Sequence, residues 1–145
     1  MNRQVRFTVS MEPHPKRRPV TGRTKRGKTV IYTDAKTLNW ERTFCLMAAK
    51  HSPETPFEGA CGIDLVFMLR RPGRLNRRSV DPGEAWHSVR PDLDNLVKSA
   101  LDALQLSGRF FRDDSQISVL NCRKYYHAKD MRPEVSVKIY ELECG

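Results

Sequence analysis

Pro91-Asp92-Leu93-Asp94-Asn95-Leu96-Val97-Lys98 is the stretch from which the rest of the chain is read. Leu93, Leu96, Val97, Ala100, Leu101 and Leu104 recur at the three-and-four spacing of one buried helix face. Pro91 disfavours helical geometry at the residue before it, Asp92 is a good N-cap, and Ser107-Gly108 supplies a stop. At about 100° per residue, Asp94, Lys98 and Asp102 fall away from the apolar stripe. The spacing therefore predicts an amphipathic helix that displays its acids at one end.

Working outward, Ile63, Leu65, Phe67 and Leu69 alternate with Asp64, Val66, Met68 and Arg70, the period of a strand leading toward the acidic stretch. Val5, Phe7, Val9 and Met11 alternate in the same way and stop at Pro13. Thr33 or Asp34 caps a second helix through Trp40, Phe44, Met47 and Ala48 to about Lys50, in which the two aromatics read as core. Beyond the acidic helix, Ile117 to about Tyr126 is strand-like. Val135, Val137 and Ile139 alternate in a last strand, and Ala128 to Pro133 is expected to join these two as a hairpin. The expected fold is α+β: a single domain over residues 1–145, with a mixed β-sheet and two main α-helices packed on it.

Two basic segments interrupt this pattern. Between residues 13 and 33 stand Lys16, Arg17, Arg18, Arg23, Lys25, Arg26 and Lys28, with no acid and with Gly22 and Gly27 at turns. This predicts a basic hairpin over about residues 14–31 in contact with phosphate. From about 71 to 90 runs a connection without periodicity that carries Arg74, Arg77, Arg78 and Arg90, and it reads as a mobile arm for DNA or a disordered loop. The whole chain has 26 Lys and Arg against 17 Asp and Glu, a formal charge of +9. That balance favours a polyanionic partner, nucleic acid first.

No apolar run approaches the roughly 20 residues of a membrane span, and the N-terminus lacks a signal-peptide core. A cytoplasmic protein with no membrane partner is expected. Cys45, Cys61, Cys122 and Cys144 form no CxxC pair, and the four histidines match no ligand spacing, so neither zinc nor a disulfide framework is expected. His87 alone stands near the acidic stretch.

Against this basic background, Asp92, Asp94, Asp102, Asp113 and Asp114 fall within 23 residues. If they converge, like charges about 4 Å apart repel by roughly 1 kcal/mol in water and about 4 kcal/mol at an effective dielectric of 20, so the cluster needs protons or a cation. Oxygen ligands without His or Cys favour a hard ion, Mg²⁺ or, as a substitute, Mn²⁺. Such an ion activates water and polarises a phosphoryl oxygen, the chemistry of phosphodiester hydrolysis. Lys98, one turn beyond Asp94, would bind the scissile phosphate or steady the leaving oxygen; its plainer role is a surface ion pair with Asp94 or Asp102. An EF-hand is excluded by Leu96 and Val97, where it needs Asp or Asn and then glycine. Simple helix capping by Asp92 and Asp94 is the competing explanation.

Arg90 to Lys98, then Leu101-Asp102-Ala103-Leu104, then Asp113-Asp114-Ser115-Gln116-Ile117 resemble the RusA family of Holliday junction resolvases, found in bacteria, prophages and phages. Phe7 to Ser10, Pro13 to Pro19 and Tyr32-Thr33 resemble the family's N-terminal half. The resemblance implies a metal-dependent homodimeric endonuclease that nicks four-way DNA junctions symmetrically in recombination and repair. It implies metal-binding carboxylates at Asp92, Asp94 and Asp114, with Asp113 beside them, and an essential lysine at Lys98. Asp102 matches a recurrent acid in a supporting role. The loop at 71–90 is longer than in compact members. A C2 dimer suits the approximate twofold symmetry of a junction. The competing readings are a non-catalytic basic nucleic-acid-binding protein and a metal nuclease acting on other branched DNA.

Overall fold

A computed structural model describes residues 2–143; Cys144 lies outside the described residues. In chain order it has β1 (Gln4–Val9), a hairpin of β2 (Val20–Arg23) and β3 (Thr29–Tyr32), α1 (Ala35–Ala49), β4 (Cys61–Leu69), β5 (Ala85–Trp86), α2 (Leu93–Ser107), β6 (Ile117–Tyr126) and β7 (Glu134–Glu141). The main sheet has the order β1-β7-β4-β6-β5, with β4 and β6 parallel and the other neighbours antiparallel. This is the expected α+β domain with a mixed sheet and two helices.

The alternating pattern is realised directly. Ile63, Leu65 and Phe67 of β4 and Val135, Val137 and Ile139 of β7 are buried, and they meet Leu96, Ala100 and Leu104 of α2 and Phe44 and Ala48 of α1 in one core. α1 starts at Asp34, whose Oδ1 accepts the Thr37 N–H at 2.8 Å. α2 ends at Gly108, which adopts a left-handed φ of 63° that a side chain would resist. Gly62 on β4 is required for a different reason: a Cβ there would run into the ring of Tyr140 on the neighbouring strand.

Two expectations are corrected. β6 and β7 do not form a hairpin, because β4 lies between them and pairs with both. β4 is the strand with the longest apolar alternation, and a central place buries it best. It joins β6 by way of α2, the crossover that a parallel pair requires.

The segment after β4 is also not a free arm. Arg71, 4% exposed, is its anchor. Its guanidinium donates to the backbone carbonyls of Leu75 at 3.0 Å, Asp81 at 2.6 Å, Gly83 at 2.7 Å and His127 at 3.2 Å. Lys129 Nζ donates to the carbonyls of Arg77 and Val80 at 2.7 and 2.6 Å. A loop without a ladder of its own must still satisfy its carbonyls, and here cations from flanking segments do so. The aperiodic stretch is a wrapped structure with a short 3₁₀ turn at Gly73–Asn76 and the two residues of β5.

Candidate functional site

The mouth of α2 opens onto a cleft of about 850 Å³ lined by Pro15, Lys16, Arg17, Arg18, Arg90 and, from the acidic stretch, Asp92, Asp94 and Asn95. That volume lies within the range of small-ligand sites, about 300–1,000 Å³. Asp92 occupies the N-cap position, and its carbonyl accepts the Leu96 N–H at 3.2 Å, yet its side chain makes no capping hydrogen bond. Asp94 accepts only the N–H of adjacent Asn95, at 2.9 Å. Among the described residues neither carboxylate has an ion-pair partner. Capping therefore does not account for Asp92, and both acids line the cleft uncommitted.

The entrance to α2 is positioned by a residue that periodicity did not single out. Lys124 on β6 donates from Nζ to the carbonyls of Val89 and Pro91, each at 2.7 Å, pinning the turn that carries Arg90 into Asp92. Among the described residues no carboxylate shares this ammonium. Lys124→Met keeps the stem and removes the clamp. For the nuclease activity that the sequence resemblance implies, the expected result is cleavage slowed about tenfold to 100-fold, as for a misplacement of about 1 Å, with DNA affinity little changed and partial recovery in Lys124→Arg. Wild-type rates in Lys124→Met would refute the clamp.

The basic strap docks on α2. Lys16 N–H donates to the Asn95 carbonyl at 2.9 Å, and Lys16 Nζ lies 2.6 Å from Glu41 Oε1 and 3.3 Å from Asp102 Oδ2. Burial alone would lower the Lys16 pKa, but the hydrogen bonds and charges of Glu41 and Asp102 outweigh it and the value is raised. The contribution of this pairing is therefore complete below lysine's ordinary pKa and is lost only as pH rises through the raised folded value. At neutral pH Lys16 is an internal tie, not a free phosphate contact. Arg17 pairs with Asp34 at 3.5 Å.

The remaining basic residues behave differently. Arg18, Arg23, Lys25, Arg26, Lys28, Arg74, Arg77, Arg78 and Arg90 are exposed, and among the described residues their side chains make no internal hydrogen bond or ion pair. The hairpin β2–β3 stands as a separate two-stranded ribbon, closed by Thr24 N–H to the Lys28 carbonyl at 2.9 Å, with Gly27 at φ 80°.

Lys98 lies between two acids, 3.1 Å from Asp102 Oδ1 and 3.9 Å from Asp114 Oδ2. Asp114 is anchored to the same helix, its N–H donating to Gln105 Oε1 at 2.8 Å. Burial, the first cause, and the adjoining Asp113 raise the Asp114 pKa against the pull of Lys98. Asp113 is lowered, chiefly by the Ser115 N–H that its Oδ1 accepts at 3.0 Å. It closes a capping box with Gln116, whose Oε1 accepts the Asp113 N–H at 3.2 Å. The sequence carried that signal as Asp-x-x-Gln before an apolar run.

The structure thus brings Asp92 and Asp94 together, and Lys98 to Asp102 and Asp114, but it does not gather all four carboxylates. Gln105, which holds Asp114, stands 13 residues along α2 from Asp92, about 20 Å of helix rise. Among the described residues no three Asp, Glu, His or Cys side chains form a group able to hold a metal ion. Asp92 and Asp94 by themselves suit Mg²⁺, which binds through one or two carboxylates and completes its shell with water and phosphate. His87 is not part of the cleft: it is buried, its ring lies 4.6 Å from Tyr126, and burial first and Lys124 second lower its pKa.

The basic α+β domain thus carries an acid-tipped helix that opens onto an arginine-lined cleft. Residues 10–140 match the family described as Endodeoxyribonuclease RusA, and the chain belongs to that family, whose members act on branched DNA junctions. It is also 30% identical over 97% of its length to the "Uncharacterized protein YqaN" of Bacillus subtilis (strain 168), of which it covers 98%. No described helix is long and apolar enough to cross a membrane.

Proposed function

We propose that this protein is a metal-dependent endonuclease that resolves four-way DNA junctions by paired, symmetric phosphodiester hydrolysis in recombination and repair. The observation that carries this reading is the cleft in which unpaired Asp92 and Asp94 face Arg18 and Arg90 in a chain of the RusA family. Unpaired arginines take phosphate, and unpaired carboxylates take a cation beside it. Asp92 and Asp94 hold the ion, Mg²⁺ or Mn²⁺, which supplies Lewis acidity and an activated water when bound.

The other roles belong to the chain's own groups. Arg18 and Arg90 seat the phosphodiester, and Lys98, one turn in, steadies the departing oxygen. Asp114 and Asp102 hold the Lys98 ammonium at its place on α2. The hairpin arginines and lysines and Arg74, Arg77 and Arg78 grip the arms without reading sequence. Two copies related by a twofold axis place two such clefts on opposing strands, which a sedimentation measurement of the free protein tests.

The deciding experiment compares a four-way junction, a flap and a linear duplex in one cleavage assay, with and without Mg²⁺. Cleavage of the junction alone, and only with metal, is the expected result. Equal rates on all three substrates would defeat junction selectivity, and binding without cleavage under any metal would leave a non-catalytic binder.

A further inference from the structure

An aromatic pair, an exposed tryptophan on a half-buried tyrosine, closes the arginine loop, and none of the roles described above uses it. Trp86 on β5 is 70% exposed, and one face of its indole stacks on Tyr125 of β6, with ring centroids 4.4 Å apart and planes 28° from parallel. The two residues are paired across the antiparallel β5–β6 ladder. Arg123, two residues before Tyr125 on the same strand, points to the same side of the sheet and is exposed. Four residues after Trp86 comes Arg90 of the cleft, within about 14 Å even if the chain between them is fully extended.

The pair is also held still. Lys124 pins Val89 and Pro91, and Arg71 pins Asp81 and Gly83, so Trp86 sits between two clamped points. A large apolar ring presented rigidly beside uncommitted cations has the form of a nucleic-acid stacking platform, because the cations hold phosphates and the ring holds a base. A base inside a continuous duplex is already stacked on both faces and cannot use it. We propose that the Trp86–Tyr125 pair receives an unstacked nucleobase of branched DNA, at or next to the branch point, while Arg123 on the same sheet face holds the neighbouring backbone. This rests on the nuclease reading and names the part of the substrate that distinguishes a junction from a duplex.

The test uses full-length protein with a four-way junction carrying 2-aminopurine at the branch point and with a linear duplex of the same sequence. The expected result is that wild type quenches the 2-aminopurine, while Trp86→Ala loses the quench and binds the junction about tenfold more weakly, a typical loss for one stacked base. Duplex affinity stays unchanged, and Trp86→Tyr retains most of the effect. Trp86 is largely exposed, so folding is not at stake, and a melting curve checks this. Equal losses on junction and duplex, or no loss on either, overturn the platform. So does a shift to a smaller sedimenting species in Trp86→Ala with the quench intact, which would assign the pair to a second copy of the chain. Cleavage by wild type is followed in parallel: a wild type that neither binds nor cuts the junction removes the nuclease reading itself, whereas a wild type that cuts and is indifferent to Trp86 removes only the platform.

Discussion

Asp92→Asn and Asp94→Asn are each expected to lower single-turnover cleavage of a four-way junction by about 10²–10³-fold, the scale on which one group that stabilises transition-state charge acts. Binding of the same junction in a gel-shift assay stays at the wild-type level or tightens. The two measurements separate because Asn keeps the shape of Asp and removes its charge. Among the described residues neither carboxylate makes an ion pair, so no structural tie is cut. A neutral cleft repels phosphate less, while the ability to hold a cation is lost, and an effect on rate without one on affinity marks a group used in the chemical step. Asp114→Asn tests the second half of the site. It removes one of the two acids that hold Lys98 and leaves Asp102, so a smaller loss of rate is expected than at Asp92. Unchanged cleavage in Asp92→Asn, Asp94→Asn and Asp114→Asn together would remove this helix from the chemistry.

Arg71→Met is expected to have the largest effect on stability. The substitution keeps the apolar stem and deletes every donor of a guanidinium that satisfies four backbone carbonyls. Leaving even two of them unsatisfied in a part-buried setting costs about 2 kcal/mol, which for a domain of this size lowers the melting temperature by about 5–10 °C. The loss should be local first. Trypsin would cut at Arg74, Arg77 or Arg78 well before the rest of the chain opens, whereas the wild-type loop resists. Arg71→Lys should recover little, since one ammonium cannot span carbonyls on opposite sides of the loop as a planar fork does. A wild-type melting curve and proteolysis pattern for Arg71→Met would show that the loop is held by other contacts.

Much of the frame is local physics and was legible in the residues. Alternation located β1, β4 and β7, a strand-like run located β6, the three-and-four spacing located α2, and Asp34, Ser107 and Gly108 marked helix ends, because each signal acts within a few residues of itself. The acidic stretch at the mouth of α2 was visible for the same reason. The division of the basic residues into two kinds was not. Lys16, Arg71, Lys124 and Lys129 look in the sequence like Arg18 or Arg77, yet the first four are turned inward onto carboxylates or carbonyls, while the latter two have no side-chain partner among the described residues. Which cation finds an internal acceptor depends on which distant segment lies beside it, and composition holds no record of that.

Tertiary structure also decided the strand order and the grouping of the acids. Nearness in the chain suggested that β6 would pair with β7, but burying the most apolar strand placed β4 between them. Five acids within 23 residues suggested one cluster, but a straight helix holds its ends about 1.5 Å per residue apart, so Asp92 and Asp94 open one end of α2 and Asp114 reaches only as far as Lys98. The sequence by itself determined a basic α+β domain with carboxylates displayed at a helix mouth, since period and charge are properties of the chain. Which acids share a cleft, which cations are left without an internal acceptor among the described residues, and that Trp86 stands outward on Tyr125 were decided by packing, where the need to satisfy buried polar groups and to cover apolar strands overrides proximity in sequence.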